Sequence, residues 1–351
     1  MTVIVKPFST EYLERCADLL QYLWKTENRE QRINHFKWGY PLNPNNEGFI
    51  AAVIAVNEED EVVGFRGFHL LKAYFGNNLE RIAYIADTVV SPNARRQGIF
   101  QKMTEYSFKY LVENGIYCIG DLGPSWPPYH GNKKLAFEDL SDFHRKFRFS
   151  LTSLIIQKVF KKKREWNRID EQYKKGTRQF FISTDVPDEV LHQVPNEKAE
   201  GVIYPCRDFA NLRWKASHPG AKYIYCWSVD SQKRVDSFIW FKTKDGYGYT
   251  LGLYFSNNVH NLKQLFGFFD KVVRPSKTIV WTWALSDNAR QCIKKLHFVG
   301  IPFLDSIKKN PPSLVRSLIT NSDETINWSI EGIDIRNSYN WVVDKFEADS
   351  F

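Results

Sequence analysis

The stretch from Ala83 to Phe100 constrains the fold of this chain more than any other. Ala83 to Val90 is nearly continuous apolar sequence with β-branched residues, the pattern of a strand covered on both faces. From Ile99 the spacing turns helical. Ile99, Met103, Tyr106, Tyr110 and Leu111 share one face, and Asn114-Gly115 supplies a stop. Between strand and helix lies a short loop carrying Arg95, Arg96, Gln97 and Gly98. A loop at a helix N-terminus presents backbone N–H groups without intrahelical partners, and the helix dipole adds positive potential there. Such a loop is an anion site, with phosphate its usual guest. Gly98 lets the backbone approach the anion, and the two arginines add charge at the rim.

The rest of the chain sets bounds on what surrounds that loop. At 351 residues it is long enough for two domains, and 43% hydrophobic content with 15% aromatics excludes a disordered polymer. A formal charge of +8 suits an anionic partner without choosing among nucleotides, coenzyme A and nucleic acid. No apolar run approaches the roughly 20 residues that span a bilayer. The start, Met1 to Pro7, reads as a strand and not as a signal peptide. Cys16, Cys118, Cys206, Cys226 and Cys292 are scattered, odd in number and never in a C-x-x-C pair, which suggests buried thiols in a reducing compartment. A cytoplasmic α/β protein is expected.

Two halves share a plan. In the first, strands are expected at Val3–Val5, Phe49–Val56, Val62–Tyr74, the cofactor-type strand to Val90, Tyr117–Ile119 and Phe147–Val159. Helices should follow Ser9 or Thr10, end near Trp38, and start at Ile99. In the second, Phe209 to Lys215 followed by Pro219, then Tyr223–Val229, Asp236–Phe241, Tyr249–Phe255 and Thr278–Leu285, repeats that order, with Ser286-Asp287-Asn288 capping a closing helix. After Phe255 the chain passes through Ser256-Asn257-Asn258 into a helix with no arginine–glycine loop. Gly246-Tyr247-Gly248 reads as a hairpin turn. Between the halves lie Lys161 to Arg164, Lys174-Lys175 and a polar stretch; a solvated linker is expected there and not a nucleic-acid site.

Arg95-Arg96-Gln97-Gly98-Ile99-Phe100 resembles the R/Q-x-x-G-x-G/A pyrophosphate loop of the GNAT acyltransferases, departing from it at Phe100. The resemblance implies two tandem GNAT-like domains, each a mixed, mostly antiparallel sheet flanked by helices. Residues 1–160 would form the domain with the acyl-CoA loop, 161–200 a basic and polar linker, and 201–351 a degenerate unit without the loop. It implies acyl-CoA as co-substrate, held by Val89, Val90, Arg95, Arg96, Gln97, Gly98, Ile99, Phe100 and Asn132, and a pseudo-dimer within one chain.

Acyl transfer from a thioester to an amine requires a base for the ammonium and donors for the carbonyl oxygen. Asp87, alone in an apolar strand, is the leading base candidate, since desolvation raises a carboxyl pKa. A structural carboxylate is the alternative. His130 is a second candidate, with a solvated loop histidine as its alternative. Tyr129 could donate a proton to the leaving thiolate, and Trp38 and Tyr40 could wall the acceptor pocket; core packing competes with each. The eight histidines are dispersed with no metal-ligand spacing, so no metal is expected.

The tandem form and the Trp–Pro block resemble bacterial sugar N-acyltransferases that act on nucleotide-linked amino sugars of the dTDP-3-amino-3,6-dideoxyhexose type. An acetyl or 3-hydroxybutanoyl group would then move by direct attack, toward surface polysaccharide such as lipopolysaccharide. Neither a nucleic acid nor a membrane is an expected partner. The rivals are an aminoacyl-tRNA-dependent peptidyltransferase of the crossbridge-building type, which needs no coenzyme A loop, and a non-catalytic binding module.

Overall fold

The computed structural model describes residues 2–141, 145–150, 168–196, 200–243, 248–256, 258–281, 291, 293–300 and 311–343. The basic run 161–164, the turn at 246–247, the cap at 286–288 and Cys292 lie outside the described residues, as do the far ends of the strands expected to reach 159 and 285.

The chain opens with β1 (Ile4–Pro7), α1 (Leu13–Leu19), α2 (Arg29–Gly39), β2 (Ala52–Val56), β3 (Val62–Phe75) and β4 (Asn78–Val90). It continues with α3 (Ile99–Glu113), β5 (Cys118–Asp121), α4 (Trp126–Lys133) and β6 (Glu138–Ser141). Next come β7 (Arg145–Phe149), β8 (Asp170–Lys175), β9 (Arg178–Ser183), α5 (Asp188–Leu191), β10 (Ile203–Pro205) and α6 (Phe209–Ala216). The second half adds β11 (Lys222–Val229), β12 (Val235–Thr243), β13 (Gly248–Ser256), α7 (Val259–Val273), β14 (Lys277–Trp281), β15 (Val299–Gly300) and β16 (Ser313–Ser317). A small hairpin, β17 (Ser329–Ile330) with β18 (Ile333–Asp334), follows.

Two mixed sheets result. The first runs β1-β2-β3-β4-β5-β16-β6, with β10 also on β3; the second runs β15-β7-β14-β13-β12-β11-β9-β8. Among the described residues each contains one parallel step, β4 with β5 and β13 with β14, at the matching place in the repeated plan. The expected repeat is therefore present in the strand order. So is an exchange that the sequence did not reveal. The strand beyond β5 is β16, from the end of the chain, and the strand beyond β14 is β7, from the first half. The strands consequently do not sort at residues 160 and 201: β7 joins the second sheet, β10 and β16 join the first, and β8 and β9 form sheet within the stretch expected to be linker.

In the first half, α1 and α2 cover one face of the sheet and α3 the other. Phe8, Tyr12, Phe36, Tyr40, Phe65 and Val89 pack in one cluster, while Val53, Ala55, Ile99 and Met103 pack in another. The Asn28 side chain accepts from the Gln31 amide while Gln31 accepts from the Asn28 amide, a capping box that fixes where α2 starts.

Contact between the halves is reciprocal. Trp38 of α2 and Trp214 of α6 stack with centroids 4.7 Å apart, at 10°. The Trp38 indole donates to the Trp214 carbonyl at 2.7 Å, and the Trp214 indole to the Trp38 carbonyl at 2.9 Å. Residue i meeting j while j meets i is the signature of a two-fold contact, here within a single chain.

Candidate active site

Antiparallel pairing of β3 with β4 breaks at one place. Arg66 pairs with Thr88 and Phe68 with Ile85, so Gly67 alone faces Ala86 and Asp87. The extra residue makes a β-bulge, a device that re-aims side chains beside functional sites. The parallel pairing of β4 with β5 ends nearby, at Tyr84 with Gly120. Burial on both faces holds for Ile82 to Tyr84; Ile85 to Thr88 keep part of their surface open. The reason is geometric: past Tyr84 the two strands have parted.

Asp87 sits in this bulge and turns toward α2. The Tyr40 hydroxyl donates to its Oδ2 at 2.6 Å. Gly67 makes room for that tyrosine, since a Cβ there would lie 2.3 Å from the Tyr40 ring. Desolvation raises the Asp87 pKa, while the Tyr40 hydrogen bond and the neighbouring His35 imidazole oppose the rise. The buried Tyr40 hydroxyl is pushed well up by burial and by the Asp87 charge, so it remains a donor. Tyr40 thus holds the base candidate.

Thr88, the next residue, belongs to the opposite face. Arg66, fully buried, donates to the Thr88 hydroxyl at 3.3 Å and to Asn132 Oδ1 at 3.2 Å, and Asn132 Nδ2 donates to Asp121 at 3.1 Å. Both ends of the Asn132 amide are therefore spent inside the protein, on a polar floor under the gap between β4 and β5. Sequence reading passed over this network, although Arg66 stands in an apolar strand just as Asp87 does. Burial lowers the Arg66 pKa to about 10 and raises that of Asp121 to about 7. An aspartate in the unfolded chain titrates near 3.8. Between those values the native state keeps a proton that the unfolded state has released, so this group's contribution to stability is lost as pH rises from about 4 to about 7. Stability of Asp121→Asn relative to wild type should improve across that window in urea titrations at several pH values. A constant difference would contradict the assignment.

The loop after β4 has the form expected for an anion site. Gly98 is the N-cap of α3 in the left-handed region, φ 73°, with no side-chain cap. Arg96 also has positive φ, 63°. Arg95 to Gly98 are exposed, Arg95 Nε donates to the Val90 carbonyl at 3.2 Å, and Ile99 and Val89 are core residues. The uncapped amides at the start of α3 suit a pyrophosphate. In the second half Asn258 is the N-cap of α7, and its side chain accepts from the His260 amide. That helix end is capped by its own side chain.

Phe100, the departure from the family loop, has a seat. Its ring occupies the space a Cβ on Gly131 would need, 2.5 Å away, and lies beside the Arg66 guanidinium at 5.2 Å. A Cβ on Gly98 would meet no protein atom within 4 Å. Gly98→Val should still weaken coenzyme A binding strongly, because a β-branched residue resists positive φ and would cover the approach to the amides. Calorimetry on both proteins checks this; equal affinities would overturn the loop assignment.

The remaining candidates have contacts of their own. His130 is exposed on α4, its ring 5.6 Å from Trp126. The Tyr129 hydroxyl donates to Asp139 at 3.0 Å. Trp38 is buried in the contact between the halves and does not face solvent. Among the described residues, no group of His, Cys, Asp or Glu is placed to hold a metal ion, and no helix is long and apolar enough to cross a membrane.

Residues 5–130 match the family model described as Acetyltransferase (GNAT) domain. No curated protein matches the sequence. A solved structure of a probable N-acyltransferase from Enterococcus faecalis V583 is similar in fold, with a TM-score of 0.59 and 11% identity, over 91% of this chain and 73% of that one. A GCN5-related N-acetyltransferase from Anabaena variabilis gives 0.58 and 13%, over the same shares of 91% and 73%. A tandem GNAT protein from the clavulanic acid biosynthesis pathway gives 0.51 and 9%, over 92% of this chain and 100% of that one. Residues 5–130 are thus similar to the GNAT acetyltransferase domain, and the chain as a whole is similar in fold to a tandem GNAT protein.

Proposed function

We propose that this protein moves an acyl group, acetyl or 3-hydroxybutanoyl, from acyl-CoA to the amine of a nucleotide-linked amino sugar, with Asp87 as general base. The observation that carries the reading is the position of Asp87: a residue of the β4 bulge that keeps part of its surface open, eight residues before the first arginine of the phosphate loop. The co-substrate supplies the activated thioester. The chain supplies the rest. Arg95 to Gly98 and the first amides of α3 hold the pyrophosphate, and Phe100 and Gly131 close the wall between α3 and α4. Backbone of β4 past Tyr84, unpaired on its β5 side, offers donors to the carbonyl oxygen. Asp87 takes the proton of the attacking amine, directly or through one water, and Tyr40 keeps its carboxylate oriented; as the C–N bond forms the C–S bond breaks, and coenzyme A leaves as a thiolate that takes a proton from solvent.

The basic chain suits two substrates that each carry a pyrophosphate. The test is a screen of acyl-CoAs against nucleotide-linked amino sugars, the dTDP-3-amino-3,6-dideoxyhexose type included, with mass detection of the product. A gain of one acyl mass on the sugar supports the reading. Turnover confined to peptide or polyamine acceptors would overturn the acceptor class.

A further inference from the structure

The half that lacks the phosphate loop reaches toward Asp87 through a stack of rings. Asp87 accepts a hydrogen bond from the Tyr40 hydroxyl, and Trp24 lies near enough to favour its carboxylate. Trp24 lies flat on His35, with centroids 3.9 Å apart at 12°. His35, on the same helix as the approach to Tyr40, has its Nδ1 3.1 Å from Glu27 Oε1. Behind it stands His218, just beyond α6 of the second half, 4.8 Å from the His35 ring and 4.2 Å from Trp38. The Gly220 amide donates to His218 Nδ1 at 3.0 Å, which leaves that nitrogen an acceptor. Burial, together with His35, Lys242, Lys215 and His69, keeps the His218 ring neutral. A neutral ring can back His35 without repelling it.

We propose that His35, braced by His218, is a positioning residue for Asp87, so that the second half completes the acid–base site of the first. The inference rests on the reading of Asp87 as base. The titratable groups facing Asp87 are Tyr40, His35 and Glu27; those facing His35 are Glu27, His218, His69 and Asp87 itself. Of these, His35 draws the Asp87 pKa down and Glu27 pushes it up. Losing the His35 imidazole removes a stabiliser of the carboxylate and releases Trp24, so Asp87 should ionise at higher pH.

The experiment measures kcat against pH for the full chain and for His35→Gln, His218→Leu and His218→Phe. His35→Gln and His218→Leu should move the acidic limb upward by about half a pH unit or more, with the KM for acetyl-CoA unchanged. His218→Phe, which keeps a ring against His35, should return the limb toward the wild-type position. An unmoved limb in both His35→Gln and His218→Leu, with turnover reduced only in proportion to folded protein, would overturn the proposal. A shift in His35→Gln alone would overturn the part played by the second half. Asp87→Asn separates the two layers: a limb that persists there overturns the base assignment itself, whatever the histidine variants do.

Discussion

Asp87→Asn should lower turnover by about two to four orders of magnitude, the range expected when a general base is lost. The amide keeps the size of the side chain and can still accept from Tyr40, which lies 2.6 Å from the native carboxylate. Packing is therefore preserved while the basic oxygen is lost. Affinity for coenzyme A should barely change, since the phosphate loop has its own residues. In the wild type the base is protonated at low pH, so kcat should climb as pH rises through the elevated Asp87 pKa. In the mutant that limb should vanish. A mutant that keeps the limb and most of its rate would make Asp87 structural. The competing outcome, a fall in melting temperature with activity lost only as folded protein is lost, would say the same.

A fragment of residues 1–160 should be insoluble or inactive. Truncation removes β16, which lies between β5 and β6 in the first sheet, and β10, which pairs with β3. β5, β6 and the end of β3 would then present unpaired edges. It also leaves β7 without the sheet it belongs to. The cluster containing Trp38, Ile82 and Tyr84 loses Ile203, Trp214, Val315, Ile335 and Trp341, all of them buried. Exposed apolar surface on that scale drives aggregation. Even in the full chain, Trp38→Ala should cost about 3–5 kcal/mol, the range for emptying a buried tryptophan site. Solubility, sedimentation and turnover of the fragment decide the matter; a soluble monomer with full activity would make the second half dispensable.

Periodicity carried the local structure of the first half. The strand to Val90, the break at the loop and the helix from Ile99 to Glu113 follow from residue spacing, and Gly98 takes the left-handed conformation that glycine allows. The exchange of β7 and β16 was not legible, because an alternating pattern says that a segment is a strand without saying which sheet it joins. Trp38 shows a similar limit. An exposed pocket wall and a residue stacked on a partner 176 positions away look the same in sequence. Asn132 was visible as a polar helical residue, but only three dimensions show Arg66 and Asp121 on its two ends. A charged residue inside an apolar strand was the signal that marked Asp87, and applied evenly it marks Arg66 as well. Phe100 looked like a defect in the loop until Gly131 was seen to leave its space.

One half of this two-fold chain should bind acyl-CoA and the other should not. Isothermal titration of the full chain with acetyl-CoA tests it most directly. The α3 end is open and glycine-capped while the α7 end is closed by Asn258, so one molecule should bind per chain. Two equivalent sites, or no binding at all, would contradict the account.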